Sequence, residues 1–215
     1  GRAVSVRIGS TDGDFPAALA EATGAQLLSA DVVGPAVGDD LRQGAVYAVL
    51  VALGLILLYV AWRFWPNWIV AVAAILASVH DVGIVMGVLD LIGAEFSIPV
   101  LAALLFVVGY SLNDSIIIAD RIRENLKKVR GQSYADIIEL SVNQTLSRTL
   151  MTSLTTLLPV LVLLAFGGSV LRDFSLTLLI GIGFGTYSSI FIMAPLIVWF
   201  KRWQQNSRRV RRRTA

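Results

Sequence analysis

Five stretches of this sequence are apolar over about twenty consecutive residues, the length at which a helix crosses the hydrocarbon core of a bilayer. They run from about Gly44 to Trp62, Pro66 to Leu89, Ser97 to Ala119, Thr149 to Phe166 and Phe174 to Phe200. With no water available to the backbone in that medium, runs of this length are read as helices. The composition agrees. Of the 215 residues, 56% are hydrophobic and 15% charged, more apolar surface than a soluble core of this size can hide. A soluble globular enzyme is therefore excluded. Cysteine is absent, which removes disulfides, thiol catalysis and cysteine-bound metals; the single histidine leaves no histidine-rich zinc site and no credible catalytic triad. No metal and no cofactor is expected. The first apolar run lies too far into the chain for a signal peptide, and no small-residue cleavage pattern follows it.

Lysine and arginine set the orientation. Arg63 lies between the first two runs; Arg121, Arg123, Lys127, Lys128 and Arg130 lie between the third and fourth; Lys201, Arg202 and the Arg208–Arg213 cluster follow the fifth. The opposite side carries Arg2, Arg7, Arg42 and Arg172, diluted by nine acidic residues from Asp12 to Asp173. The basic side is cytoplasmic, so residues 1–43 are expected outside and the C-terminus inside. Tryptophans at 62, 65, 68, 199 and 203 fit interfacial anchoring.

In the outer segment, Val4 to Ile8 and Gln26 to Val33 read as strands, and Asp14 to Ala22 reads as a helix with Gly24 just past its end. One such β-α-β unit cannot bury its own faces. The expected fold is thus a membrane all-α bundle carrying the C-terminal part of an extracytoplasmic α/β domain, in a chain that starts at Gly1 and reads as a fragment. The organisation is residues 1–43 as the outer piece, 44–203 as the transmembrane domain with a cytoplasmic amphipathic loop at 120–148, and 204–215 as a basic cytoplasmic tail. In that loop, Glu124 and Lys128 are spaced for an i,i+4 pair, Gly131 breaks the helix, and Ser133 with Asp136 resembles a capping box. Ile137, Ile138, Leu140 and Val142 suit a helix lying on the membrane or a partner, or a solvated connector.

An ionisable side chain inside a span costs a few kcal/mol and is a functional candidate by default. Asp114 lies about six residues, roughly 9 Å, before the cytoplasmic end of its run, and Arg148 stands at the mouth of the next. The two runs are antiparallel, so an Asp114–Arg148 pair can share a depth. An acid separated from its counter-charge takes up a proton more readily, which is the minimum machinery of a proton carrier; a static ion pair is the other reading. Ser111, Asn113, Thr149, Thr152 and Ser153 put polar groups around the same zone, where they either line it or bond helix to helix. His80 and Asp81, mid-span, are secondary candidates for a relay, although satisfying polar groups on neighbouring helices is the reading favoured. Asp120, rotated by about 240° from Asp114, reads as a boundary charge.

Gly181, Gly185 and Ser189 recur every four residues, a small-residue face for close helix packing. The Gly-Ile-Gly-Phe-Gly-Thr run around them lies within an apolar span and follows no soluble strand, so it is not a phosphate loop. Pro159 and Pro195 interrupt the fourth and fifth spans. The C-terminal arginines suit anionic membrane lipids, with nucleic acid a weaker alternative.

Several motifs together resemble the SecF family: Val-Gly-Pro-Ala-Val-Gly at 33–38, His80-Asp81-Val82, Gly109-Tyr110-Ser111-Leu112-Asn113-Asp114, Asp120-Arg121-Ile122-Arg123-Glu124-Asn125, Asn143-Gln144-Thr145-Leu146-Ser147-Arg148-Thr149, and Gly185-Thr186-Tyr187-Ser188-Ser189. The match extends from about Val33 to Trp203. The resemblance implies an RND-like fold of six spans, five of them visible here, with a large outer domain between the first and second. It implies an accessory role in the bacterial Sec translocon of the cytoplasmic membrane, where proton flow drives outer-domain motion that helps draw preproteins through the channel. It links the acid and the arginine that match Asp114 and Arg148 to proton transport. Implied partners are SecD, as a separate chain or fused half, the SecY-SecE-SecG channel, YajC and YidC, the preprotein, protons and lipids; a carboxylate from SecD also takes part. Phe106 departs from the family, which often has threonine there. An efflux component of the same superfamily and a passive translocon scaffold are the competing readings.

Overall fold

A computed structural model of the chain describes residues 20–24, 35–65, 67–94 and 96–214. Residues 20–23 form a helical turn that ends at Gly24, whose φ of +62° is open to glycine. This matches the end of the helix expected over Asp14–Ala22. Most of that helix, and the strands expected at Val4–Ile8 and Gln26–Val33, lie outside the described residues.

The remainder is helical. The elements are α1 (Pro35–Arg63), α2 (Trp68–Leu91), α3 (Ile98–Lys128), α4 (Tyr134–Phe166), α5 (Gly168–Ser188), a π-helical turn (Ser189–Met193) and α6 (Ala194–Thr214). Among the described residues four helical rods are long and apolar enough to cross a membrane: Trp68–Leu91, Ile98–Lys128, Tyr134–Phe166 and Leu171–Ser207, the last joining α5, the π turn and α6. The first expected span, Gly44–Trp62, falls in α1, where the apolar helical stretch found among the described residues is Leu50–Arg63.

The segment expected as a separate cytoplasmic loop takes another form. α3 runs unbroken to Lys128 and α4 starts at Tyr134, so the two pieces expected there are the ends of the long helices themselves. Ile137 and Ile138 are buried inside the bundle rather than laid on a membrane surface. The local signals hold. Ser133 Oγ accepts from the Asp136 backbone N–H at 3.2 Å while the Ser133 N–H donates to Asp136 Oδ2 at 3.1 Å, and Lys128 Nζ donates to Glu124 at 2.6 Å. Asn125 Nδ2 donates to Ser141 Oγ at 2.9 Å and to Gln144 Oε1 at 2.8 Å, and Arg121 Nε donates to the same Gln144 oxygen at 2.7 Å. These bonds fasten α3 to α4 where the hairpin turns.

Buried apolar side chains gather in two clusters. One holds Val60, Phe64, Ile69, Val70 and four alanines of α2, Ile118, Ala119 and Ile122 of α3, Ile138, Met193 and Ile197. The other holds Val85, Leu89, Val100, Leu104, Val107, Val160, Leu178 and Ile182. Between them in sequence, on all four rods, stand the buried polar residues Ser78, Asp81, Ser111, Asp114, Ser115, Thr149, Ser153, Thr186, Ser188 and Ser189. Large apolar side chains such as Leu154, Leu158, Phe166, Phe191 and Trp199 face outward, as lipid contact requires.

The small-residue face does what its spacing predicts. A Cβ added at Gly181 would overlap the Val107 side chain, and one at Gly185 would lie 3.1 Å from Ser111 Cβ, so α5 and α3 pack closely along this face. Ser189, at the next step of the stripe, is fully buried. Pro195 cannot donate to the carbonyl four residues back, and the helix widens into the π turn just before it.

This contact yields a paired prediction. Gly181→Ala meets the stiff β-branched Val107 and is expected to destabilise the bundle by about 1–3 kcal/mol, the usual range for overpacking. Gly183→Ala, where nothing lies within 4 Å of the added carbon, should leave the melting temperature in detergent unchanged. Equal melting of the two variants would contradict the packing.

Candidate functional site

The polar layer contains two buried carboxylates with opposite surroundings. Asp81 on α2 is 0% exposed and well supplied with partners. Its Oδ2 accepts from Ser111 Oγ of α3 at 2.5 Å and from Ser188 Oγ, the last residue of α5, at 2.7 Å. Its Oδ1 lies 3.2 Å from His80 Nδ1. Three helices thus converge on one side chain. Ser188 reaches it because it lies seven residues on from Gly181, two helical turns along the face that presses on α3.

Asp114 on α3 is also 0% exposed, but neither carboxylate oxygen accepts a hydrogen bond among the described residues. Ser115 Oγ and Thr149 Oγ1 are buried and without partners as well. The charge of Arg148 acts on Asp114, yet the two do not close into the ion pair expected from sequence; the Arg148 side chain is on the exposed side of α4. Among the described residues Asp114 is thus a buried acid near the Arg148 charge with no hydrogen-bond partner.

The expected polar lining divides. Ser111 is committed to Asp81 rather than Asp114. Asn113 is exposed, on the side of α3 away from Ser111 and Asp114. Thr152 spends its hydroxyl on its own helix, donating to the carbonyls of Thr149 at 2.9 Å and Arg148 at 3.1 Å, as Thr155 and Thr156 also do. Ser153 does line the layer: it shares a 2.6 Å hydrogen bond with Thr186 Oγ1 and accepts from Tyr110 O–H at 3.2 Å. Ser188, Thr186 and Tyr110 were given no site role by the sequence reading, although all three stand inside the quoted motifs; their position on the inward faces of α5 and α3 was the available signal. Asp120 behaves as a boundary charge. It receives both a 2.7 Å and a 2.9 Å hydrogen bond from Arg63 at the end of α1. Among the described residues, no cluster of three His, Asp or Glu side chains could hold a metal ion.

Comparison with known proteins bears on this arrangement. Residues 16–203 match the family described as protein export membrane protein SecD/SecF, C-terminal. The protein translocase subunit SecDF of Thermus thermophilus is 60% identical over 177 residues, covering 82% of this chain and 24% of that protein. SecF of Haemophilus influenzae is 51% identical over 167 residues, 78% of this chain and 51% of that subunit. The crystal structure of the translocon-associated SecDF from Thermus superposes with a TM-score of 0.75 at 62% identity, over 79% of this chain and 23% of that one. A SecDF crystal structure in the super-membrane-facing form gives 0.78 at 49% identity, over 94% and 28%. The chain spans about half the length of the SecF relative and about a quarter of the SecDF chains. It belongs to the SecD/SecF C-terminal family of protein export membrane proteins.

Proposed function

We propose that this chain is the membrane domain of an accessory subunit of the Sec protein translocase, one that uses the proton gradient to promote preprotein export across the cytoplasmic membrane. The observation that carries the reading is Asp114, an acid removed from water, left without a hydrogen-bond donor and lying in the field of Arg148. A buried charge so poorly compensated is costly, so structure alone gives no reason to keep it. A group that must bind and release a proton does give one. Loaded, the acid is neutral and tolerates its apolar surroundings; unloaded, it draws on the guanidinium. Membership of the export family supplies the cargo: the SecF and SecDF relatives are named as protein translocase subunits.

The basic residues at the ends of α1 and α3 and in α6 support a cytoplasmic C-terminus with residues 1–43 outside. In this reading α1 holds the first of the five spans, residues 1–43 are the end of an α/β outer domain, and the hairpin between α3 and α4 projects into the cytoplasm. The SecD half is the closest partner, as the fusion in SecDF relatives supports; the SecY-SecE-SecG channel, YajC and YidC are the wider set. This chain neither makes nor breaks covalent bonds in that scheme.

Two outcomes are expected in the complete translocase subunit. Asp114→Asn abolishes proton-driven export and proton uptake by proteoliposomes, yet melts at the same temperature or higher, because it removes an uncompensated charge while keeping the shape. Wild-type export in that variant sinks the proposal, and a large loss of stability points instead to a structural ion pair. Asp120→Asn, by contrast, breaks a partly exposed pair worth roughly 0–1 kcal/mol and leaves export unchanged.

A further inference from the structure

A slot of about 420 Å³ runs between the first turns of α4 and the segment formed by the π turn and α6. Its floor is apolar, with Ile138 and Ala194 both buried in the bundle. Ala135 and Ala194 leave open the room that larger side chains would fill, and Pro195 lines the slot where the π turn gives way to α6. From Phe191 to Arg202 the lining advances eleven residues along one rod, about 16 Å at 1.5 Å per residue. That is about half of a hydrocarbon core of roughly 30 Å, the depth of one leaflet.

The two ends of the slot differ. At the inner end the lining is apolar and Phe191 stands exposed beside it. Toward the 129–133 hairpin it carries Glu139 and Asn143 of α4 and Arg202 of α6, all three exposed. Glu139 and Asn143 lie one turn apart on the same face of α4. Among the described residues neither Glu139 nor Arg202 enters an ion pair, although both line the one slot. Lys201, the neighbouring cation, is engaged over the Tyr134 ring at 5.5 Å, which sets this part of α6 level with the start of α4. Trp199, also in the lining, and Trp203 are exposed here, as aromatic side chains at a membrane interface are.

We propose that this slot binds one phospholipid of the leaflet on the hairpin side, a zwitterionic one whose headgroup ends in a primary ammonium. One acyl chain lies along the apolar part, between Phe191 and Val198. The headgroup phosphate sits at Arg202, whose guanidinium presents a fork of N–H donors that matches phosphate oxygens. The ammonium donates to the Glu139 carboxylate and to the Asn143 carboxamide oxygen. The charges select this occupant. Opposite signs at one interfacial end, not spent on each other, complement a ligand that carries both. A purely anionic headgroup leaves Glu139 facing like charge, and a quaternary ammonium has no N–H to donate. The slot takes a single chain rather than a helix, which is about 10–12 Å across with its side chains. The inference uses the placement of these helices in a membrane and does not depend on the reading of Asp114.

The test uses the complete subunit with its SecD half, purified in mild detergent and offered phosphatidylethanolamine, phosphatidylglycerol and phosphatidylcholine in equal amounts, with bound lipid read by native mass spectrometry. Phosphatidylethanolamine is expected to stay bound in preference to both others. Arg202→Gln loses that retention, whereas Glu139→Gln still holds lipid but loses the preference over phosphatidylglycerol. Both positions are exposed, so both variants are expected to melt with the wild type. In vesicles, phosphatidylethanolamine with a photoreactive group midway along one acyl chain is expected to label the 190–198 segment. Equal retention of the three lipids by the wild type, or unchanged selectivity in both variants, overturns the proposal. Labelling spread evenly over the outward faces of all the helices overturns it too, because that is ordinary lipid contact. So does labelling that spares 190–198, which marks a slot covered by a helix of the SecD half.

Discussion

The structure depends on one constraint: where water is absent, each polar group must find its partner inside the protein. Most of the mid-bundle layer obeys it through economy. Thr145, Thr152, Thr155 and Thr156 all return their hydroxyl hydrogens to carbonyls of the preceding turn, which satisfies the side chain without requiring a neighbour. Cross-helix bonds are reserved for a few positions: Ser153 to Thr186, Tyr110 to Ser153, and the two serines on Asp81. Against that background Asp114, Ser115 and Thr149 stand out as the places where satisfaction stops. Thr149 and Asp114 belong to different helices, so the shortfall is shared by the pair α3–α4.

The other helix pair, α3–α5, is built for closeness. Gly181 and Gly185 let α5 approach until Val107 and Ser111 fill the space a side chain would need. That approach puts Ser188 within reach of Asp81, and the π turn begins with the very next residue. A π turn fits one extra residue into the helix and so rotates everything after it relative to a regular continuation. Met193, Ala194 and Ile197 consequently face the apolar cluster next to the hairpin while Ser188 and Ser189 face the polar layer. The tight contact and the widened turn are thus consecutive adjustments of one rod, the first fixing distance and the second fixing facing.

Features of this fold that are local in sequence were legible in the sequence. The capping box at Ser133, the Glu124–Lys128 pair and the small-residue stripe each rest on spacing within one helix, and spacing is what a sequence displays. The choice between partners on different helices was not legible. Ser111 is three residues from Asp114 and was grouped with it, yet α2 brings Asp81 closer to it. Asp120 and Arg63 are 57 residues apart, and nothing in either neighbourhood announces the other. The two helical pieces expected within 120–148 are present, but as continuations of the spanning helices, because charge marks where a helix leaves the membrane and says little about where the helix ends. Arg148 was expected in contact with Asp114 because both were near one depth, but depth leaves the rotation of α4 open.

That unclosed distance between Asp114 and Arg148 is itself part of the proposed mechanism. Asp81 is held in place by two serine hydroxyls that donate to it. An acid without such donors has two routes to a tolerable state: it takes a proton, or a cation comes to it. The routes exclude each other, because the protonated acid no longer attracts the guanidinium and the paired acid no longer needs the proton. Arg148 lies on α4 between two fastenings to α3: Asn125 with Ser141 and Gln144 at the hairpin end, and Tyr110 with Ser153 further along. Approach of Arg148 to Asp114 would therefore act on the stretch of α4 between these bonds, where Thr149 also lacks a partner among the described residues.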